Sequence, residues 1–155
     1  MIAGPRQVGK STLMDQVLSD CHFPQYLFNA DGVDENDSDW IRRVWESTRS
    51  QMDIKSQTEA VMVIDEIQKI KQWSEIVKRE WDADTRAHRN LKVFLLGSSR
   101  LMLRKGLKES LAGRFEMIRL GHWSAQEMQD AFGWTLDEWV YFGGYPGTAD
   151  LIKDM

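Results

Sequence analysis

Short runs of apolar residues alternate along the chain with segments in which apolar residues recur at helical spacing. Such runs are typical of strands buried in a sheet, and we predict strands at residues 25–28, 60–64, 92–96 and 116–120. The segments between them have the pattern of helices with one apolar face. Their apolar positions are Leu13, Met14, Val17 and Leu18; Trp40, Ile41, Val44 and Trp45; and Trp73, Ile76, Val77 and Trp81. Strands that alternate with helices predict an α/β fold, in which helices flank a parallel sheet.

Beyond residue 121 the strand pattern stops and helix signals replace it. The segments Ser124-x-x-Glu127 and Thr135-x-x-Glu138 each match a capping box, in which a hydroxyl and a carboxylate satisfy backbone N–H groups where a helix begins. The glycine-rich stretch 143–147 then predicts a turn. We therefore divide the chain into a core at residues 1–121 and a short helical tail at residues 122–155, which we expect to begin a further C-terminal region.

Residues 4–11 read Gly-Pro-Arg-Gln-Val-Gly-Lys-Ser, which matches in full the pattern of a phosphate-binding loop. In such a loop, glycines allow backbone N–H groups to converge on phosphate oxygens at the start of a helix. The alternative is a glycine-bounded surface turn. The position of the loop, between an apolar strand end and an amphipathic helix, favours nucleotide binding.

The side chains of this loop have defined chemical roles in a P-loop NTPase. Lys10 would place a positive charge beside the β- and γ-phosphates, the Ser11 hydroxyl would ligate Mg²⁺, and Thr12 would reach a more internal phosphate. We therefore predict ATP and Mg²⁺ as ligands. The residues predicted to surround the nucleotide are Gly4, Pro5, Arg6, Gln7, Val8, Gly9, Lys10, Ser11 and Thr12.

Both ends of the chain are short in comparison with a complete P-loop domain. A phosphate-binding loop normally follows a complete buried strand, whereas only Met1, Ile2 and Ala3 precede Gly4. The helical tail likewise stops soon after its glycine-rich turn. We therefore expect a truncated chain, whose own activity is an open question.

Two adjacent acids, Asp65 and Glu66, follow the apolar run at residues 60–64. Parallel strands end at the edge of the sheet where the phosphate loop also lies, so both acids are predicted to face the triphosphate. Asp65 would hold Mg²⁺, mostly through its water shell, and Glu66 would position the attacking water. The alternative is that Asp65 caps the following segment and Glu66 is solvated. The phosphate loop favours the catalytic interpretation.

The next apolar run ends in two serines, Ser98 and Ser99, at the same predicted edge. One of these hydroxyls could contact the γ-phosphate or the attacking water. It could equally cap a helix that starts near Arg100, and one hydroxyl can do both.

Three arginines, Arg100, Arg104 and Arg114, are candidates for neutralising the charge that develops in phosphoryl transfer. Arg114 stands out because the preceding Ala-Gly pair permits close packing and a predicted strand follows. The alternative is that each arginine only solvates a surface.

Composition limits the remaining function classes. Hydrophobic residues make up 42% of the 155 residues, enough for a globular domain with its own core. The formal net charge is −4, which gives no general attraction to nucleic acid, and the acidic stretch 31–39 would repel it. The single cysteine, Cys21, excludes an intramolecular disulfide. Because no apolar run is long enough to span a membrane, we expect a cytoplasmic protein.

The order of the motifs resembles that of a known family. Along the chain come Gly-Pro-Arg-Gln-Val-Gly-Lys-Ser-Thr, Val-Ile-Asp-Glu-Ile-Gln-Lys, Leu-Gly-Ser-Ser, Glu-Ser-Leu-Ala-Gly-Arg and Phe-Gly-Gly-Tyr-Pro. This order is similar to that of the AAA+-type P-loop ATPases predicted in bacteria and archaea, and the resemblance covers nearly the whole chain. In that family an N-terminal ATPase domain is usually followed by a C-terminal domain of unknown function.

The resemblance implies roles by position. Residues 4–12 would be the Walker A element and residues 65–66 the Walker B element. Ser98 or Ser99 would sense the γ-phosphate. Arg114 would belong to the Gly-Arg element and act either in its own site or in a neighbour's.

The leading hypothesis is an AAA+-type ATPase domain whose Mg²⁺-dependent hydrolysis of ATP acts on an unknown partner or attached domain. One alternative is a nucleotide-binding switch with negligible turnover, which the acid pair at residues 65–66 argues against. Another is a DNA-associated protein that acts through a C-terminal domain. Assembly into a homo-oligomer is also open, whereas nothing in this segment supports contact with nucleic acid.

Overall fold

A computed structural model describes residues 1–98 and 111–149 of the chain. This part of the chain confirms the predicted parallel sheet. Its five strands lie in the order β2-β3-β4-β1-β5, and every neighbouring pair is parallel. The strands are β1 Ile2–Gly4, β2 Gln25–Asn29, β3 Glu59–Asp65, β4 Asn90–Ser98 and β5 Ile118–Arg119.

The helices that the apolar spacing and the capping boxes predict are also present. They are α1 Lys10–Ser19, α2 Asp39–Ile54, α3 Trp73–Arg86, α4 Ala125–Phe132 and α5 Leu136–Phe142, with short 3₁₀ turns at Ile67–Lys69 and Pro146–Thr148. Among the described helices, none is both long enough and apolar enough to cross a bilayer.

The strand β3 shows how the apolar pattern builds the layers. It lies between β2 and β4, and residues 60–64 are all buried. The odd-numbered residues 61 and 63 share an apolar cluster with α1, whereas residues 60, 62 and 64 share another with α2 and α3. Because alternate side chains of a strand enter opposite layers, a strand covered on both faces requires a continuous apolar run.

The last strand is shorter than predicted. We expect a strand over residues 116–120, but only Ile118 and Arg119 adopt one. Their single partner in the sheet is the short strand β1, and Ile118 remains 49% exposed at the edge. A three-residue partner cannot pair with five residues, so the pairing stops early.

Both predicted capping boxes are formed in the tail. The Ser124 hydroxyl accepts from the Glu127 N–H, and the Glu127 carboxylate accepts from the Ser124 N–H at 2.7 Å. Thr135 and Glu138 repeat this exchange at the start of α5. Hydrogen bonds from the cap backbone and hydroxyl lower the pKa of each glutamate. The two helices therefore begin where local chemistry alone predicts.

A charged network joins α2 to α3. Arg49 donates from Nε to Asp84 Oδ1 at 2.8 Å and from Nη1 to Glu80 Oε2 at 2.8 Å. The indole of Trp45 donates to the other oxygen of Asp84 at 2.6 Å. Both carboxylate side chains are only 8% exposed. The network therefore fixes two helices whose preceding loops line the candidate site described below.

Candidate nucleotide-binding site

The loop from β1 to α1 contains two glycines that are required for different reasons. A Cβ on Gly4 would lie 2.4 Å from the carbonyl oxygen of Leu120, so this glycine lets β1 approach the chain that follows β5. Gly9 has φ +89°, a left-handed conformation that strains other residues. Glycine is thus required at position 4 by the packing of the sheet. The phosphate-loop motif alone does not indicate this requirement.

The same loop presents an array of backbone donors. Within the part of the chain that the structure describes, the N–H groups of residues 7–12 meet no backbone acceptor. Gln7 and Gly9 both have positive φ, and turns of this kind direct successive N–H groups into an anion-binding concavity. The N-terminus of α1 adds a partial positive charge. The loop can therefore hold a phosphate group.

Lys10 is buried inside this loop, with only 7% of the residue exposed. Its ammonium group donates to the carbonyl oxygens of Pro5 at 2.6 Å and Gly4 at 3.2 Å. Burial lowers the pKa of Lys10, and the negative charges of Glu66 and Asp65 partly oppose that shift. The lysine thus lies in a desolvated position close to both predicted acids.

Ser11 and Asp65 are directly hydrogen-bonded. The Ser11 hydroxyl donates to Asp65 Oδ2 at 2.7 Å, and Asp65 Oδ1 accepts from the Glu66 N–H at 2.7 Å. A hydroxyl and one carboxylate suit Mg²⁺, which keeps several waters and takes further ligands from phosphates. No cluster of three or more His, Cys, Asp or Glu residues that could hold a metal occurs in the described ranges. These residues therefore fit a magnesium ion that binds together with phosphate.

Glu66 has φ 55°, an uncommon conformation for a residue with a side chain. It precedes the 3₁₀ turn Ile67–Lys69, and its Oε2 accepts a hydrogen bond from Gln68 Nε2. The other amide atom, Gln68 Oε1, is buried without a hydrogen-bond partner among the described residues. No sequence pattern predicts this role for Gln68, because the contact depends on the turn that follows Glu66.

A cleft of about 760 Å³ opens beside the loop at the carboxyl edge of the sheet. Its lining includes Pro5, Arg6, Glu66 and Ser98. Ser98 is the register partner of Gly4 in the pairing of β4 with β1. The structure thus brings Ser98 to the same edge as the phosphate loop and the two acids.

Lysines pair with the acidic stretch on the far side of this cleft. Lys69 forms an ion pair with Asp31, and Lys71 pairs with Glu35 at 2.7 Å. The acids of residues 31–39 are therefore partly neutralised, which the sequence alone does not show.

Arg114 lies away from this cleft. Its guanidinium donates to both carboxylate oxygens of Asp82, from Nε at 2.8 Å and from Nη2 at 3.3 Å. It lines a separate cavity of about 250 Å³, together with Trp81. The structure does not bring Arg114 together with Lys10. The other predicted positions, Ser99, Arg100 and Arg104, lie outside the described residues.

A residue of the tail reaches the phosphate loop. Trp123 donates from its indole Nε1 to the carbonyl oxygen of Val8 at 3.1 Å. No sequence pattern predicts this contact, because Trp123 and Val8 are 115 residues apart in the sequence.

Solved structures with a similar fold include those of katanin and RuvB. One structure, described as the structural basis for katanin self-assembly, has 16% identity and a TM-score of 0.54, and the match covers 83% of this chain and 42% of that chain. The other, the RuvB Holliday junction branch migration motor of Thermotoga maritima, has 18% identity and a TM-score of 0.54, and the match covers 83% of this chain and 39% of that chain. The chain therefore spans about two fifths of each. At this level of identity the likeness establishes the fold alone.

The sequence itself gives the family. A comparison with curated proteins finds no significant match. The sequence profile described as an AAA domain matches residues 1–129, which include the phosphate loop, both acids and the five strands. The chain therefore belongs to the AAA domain family.

Proposed function

We propose that this chain is an ATPase domain that binds ATP with Mg²⁺, hydrolyses it, and thereby acts on a protein partner or on an attached domain. The observation that carries the proposal is the placement of the buried Lys10, the bonded pair of Ser11 and Asp65, and Glu66 around one phosphate loop. Membership of the AAA domain family supports it.

The fold itself positions the ammonium group of Lys10 for phosphate binding. Its ammonium group is already largely removed from water and is oriented by two neutral carbonyl acceptors, those of Gly4 and Pro5. Phosphate oxygens would replace these acceptors with charged ones, and charge-assisted hydrogen bonds are about twice as strong as neutral ones. Water is therefore removed from the ammonium group when the protein folds, so its desolvation does not oppose phosphate binding.

Ser11 and Asp65 would hold the magnesium ion. The hydrogen bond from the Glu66 N–H fixes the Asp65 carboxylate, so its second oxygen faces the Ser11 hydroxyl. When bound, the ion would neutralise negative charge on the β- and γ-phosphates.

Glu66 would orient the water that attacks the γ-phosphorus. A new P–O bond forms with the water oxygen as the bond to the β,γ-bridging oxygen breaks, and ADP leaves with that oxygen. Gln68 holds Oε2 of Glu66, which leaves Oε1 to accept from the water. Ser98 lines the same cleft and would contact the γ-phosphate.

A switch with negligible turnover is the second candidate, and one contact favours it. Arg114 is engaged by Asp82 rather than lying in the cleft. A site that kept this contact with nucleotide bound would lack Arg114 for the transition state.

The two candidates separate in a comparison of binding and turnover. We expect Glu66→Gln to keep its affinity for MgATP within about twofold and to lose at least about 100-fold in phosphate release. Asp65→Asn should weaken both MgATP affinity and turnover, because it loses charge at the magnesium site. Calorimetry and steady-state phosphate release would measure these quantities.

Glu59→Gln is the matched control, since it makes the same change at the opposite end of β3. It should leave affinity and turnover unchanged. Parent-like hydrolysis by Glu66→Gln would show that Glu66 is not the catalytic carboxylate. A parent chain that binds MgATP without turnover would favour the switch, and one that does not bind MgATP would refute the proposal.

A further inference from the structure

We infer that Trp123 is a positioning residue through which the helical tail sets the direction of the Gly9 N–H in the phosphate loop. The inference rests on the proposed function, because that N–H would face a phosphate. Its basis is a hydrogen bond of 3.1 Å from the Trp123 indole to the Val8 carbonyl oxygen. The two residues are 115 positions apart in the sequence.

The geometry of the peptide bond gives this contact its effect. The Val8 carbonyl and the Gly9 N–H belong to one peptide unit, and in a trans peptide they point in opposite directions. No cis peptide bond occurs in the described part of the chain. An indole that holds the carbonyl oxygen on one side therefore directs the N–H to the other side.

The peptide unit between Val8 and Gly9 depends on a contact from outside the loop more than its neighbours do. Gly9 has no side chain to restrict it and adopts φ +89°, and a glycine populates several backbone conformations with little difference in energy. Its N–H meets no backbone acceptor among the described residues. The Trp123 indole thus restricts a peptide unit that has no other hydrogen bond among the described residues.

Trp123 is itself held by the tail. Its N–H donates to the Gly144 carbonyl at 3.0 Å, and its own carbonyl accepts from the indole of Trp139 on α5 at 3.0 Å. Its ring stacks on Phe132 of α4 with centroids 5.9 Å apart. A shift of the tail would therefore move the indole that anchors the loop.

The test compares two tryptophans that make the same kind of hydrogen bond. Trp123→Phe removes the bond to the loop but keeps a ring to stack on Phe132. Trp139→Phe removes the bond to the Trp123 carbonyl, one step further from the loop. Each variant loses one indole donor within the tail, so a purely structural role predicts similar effects on stability and none on the loop.

Two readouts on the full chain distinguish positioning from packing. In the absence of nucleotide, the ¹⁵N order parameter of the Gly9 amide should fall in Trp123→Phe. It should change less in Trp139→Phe, which keeps the indole that contacts Val8. In calorimetry, MgATP should bind about fivefold more weakly to Trp123→Phe, the value of one ordinary hydrogen bond. Trp139→Phe should stay within about twofold of the parent.

Gly144→Ala provides a second perturbation that leaves the indole in place. Its Cβ would lie 2.0 Å from the Trp123 carbonyl oxygen, so Trp123 must shift, and the order parameter of the Gly9 amide should again fall. Unchanged order parameters in both Trp123→Phe and Gly144→Ala would overturn the inference, as would equal effects of the two tryptophan variants. A parent chain that fails to bind MgATP would refute the proposed function, whereas the order parameter of the Gly9 amide would still decide the role of Trp123.

Discussion

Replacing Arg49 with methionine is expected to destabilise the fold by about 3 kcal/mol, because two buried carboxylates lose the arginine that bridges them. Their remaining partners are Trp45, Arg79 and Arg89. Glu80 and Asp84 are 8% exposed, and both accept hydrogen bonds from Arg49. Breaking a buried ion pair from one side costs about 3–5 kcal/mol, and the 20% exposure of the Arg49 side chain favours the lower end. For a domain of this size, the change corresponds to a fall in Tm of about 6–12 °C.

Arg42 on the same helix provides the matched control for this experiment. It pairs with Asp39 and Glu46, but these side chains are 41% to 66% exposed, so water screens both pairs and they contribute little to stability. Urea denaturation followed by circular dichroism would give both free energies of unfolding. An Arg49→Met loss no larger than that of Arg42→Met would show that the network does not hold α2 against α3.

Two further predictions concern the phosphate loop. Lys10→Ala should weaken MgATP binding by about 100-fold, the value of a strong charged hydrogen bond; calorimetry would test this, with the exposed Lys55→Ala as control, and parent-like affinity would mean that the loop is only a turn. Gly4→Ala places a Cβ 2.4 Å from the Leu120 carbonyl and should lower Tm by about 3–10 °C. Gly32→Ala, whose Cβ would meet nothing within 4 Å, should change Tm little, and equal Tm values for the two variants would contradict the proposed packing.

Features set by neighbouring residues could be predicted from the sequence. The capping boxes at Ser124 and Thr135 depend on residues three positions apart, and both are formed. The strand β3 was evident because burial on both faces requires a continuous apolar run. The parallel direction of the strands follows from the same alternation of strands and helices, since crossover connections keep the strands parallel.

Contacts between distant segments could not be predicted in this way. The bond from Trp123 to Val8 spans 115 residues, and the bond from Arg49 to Asp84 spans 35. Each of these side chains has an ordinary alternative, as a packed ring or as a solvated charge. The pairing of Arg114 with Asp82 depends on how the segment around residue 114 approaches α3, which no local pattern encodes.

The placement of β1 in the sheet has a consequence for synthesis on the ribosome. Ile2 pairs with Leu96 on one side and with Ile118 on the other, so the strand before the phosphate loop gains both of its neighbours only after residue 118 has been made. At about 5–20 residues per second, the interval between residues 2 and 118 is about 6–23 s. Until β4 has been made, the loop has no flanking strand to align its N–H groups. A nucleotide that binds only the folded loop would therefore stabilise the sheet only once both neighbours are in place, because a ligand that binds the folded state adds nothing before that state forms.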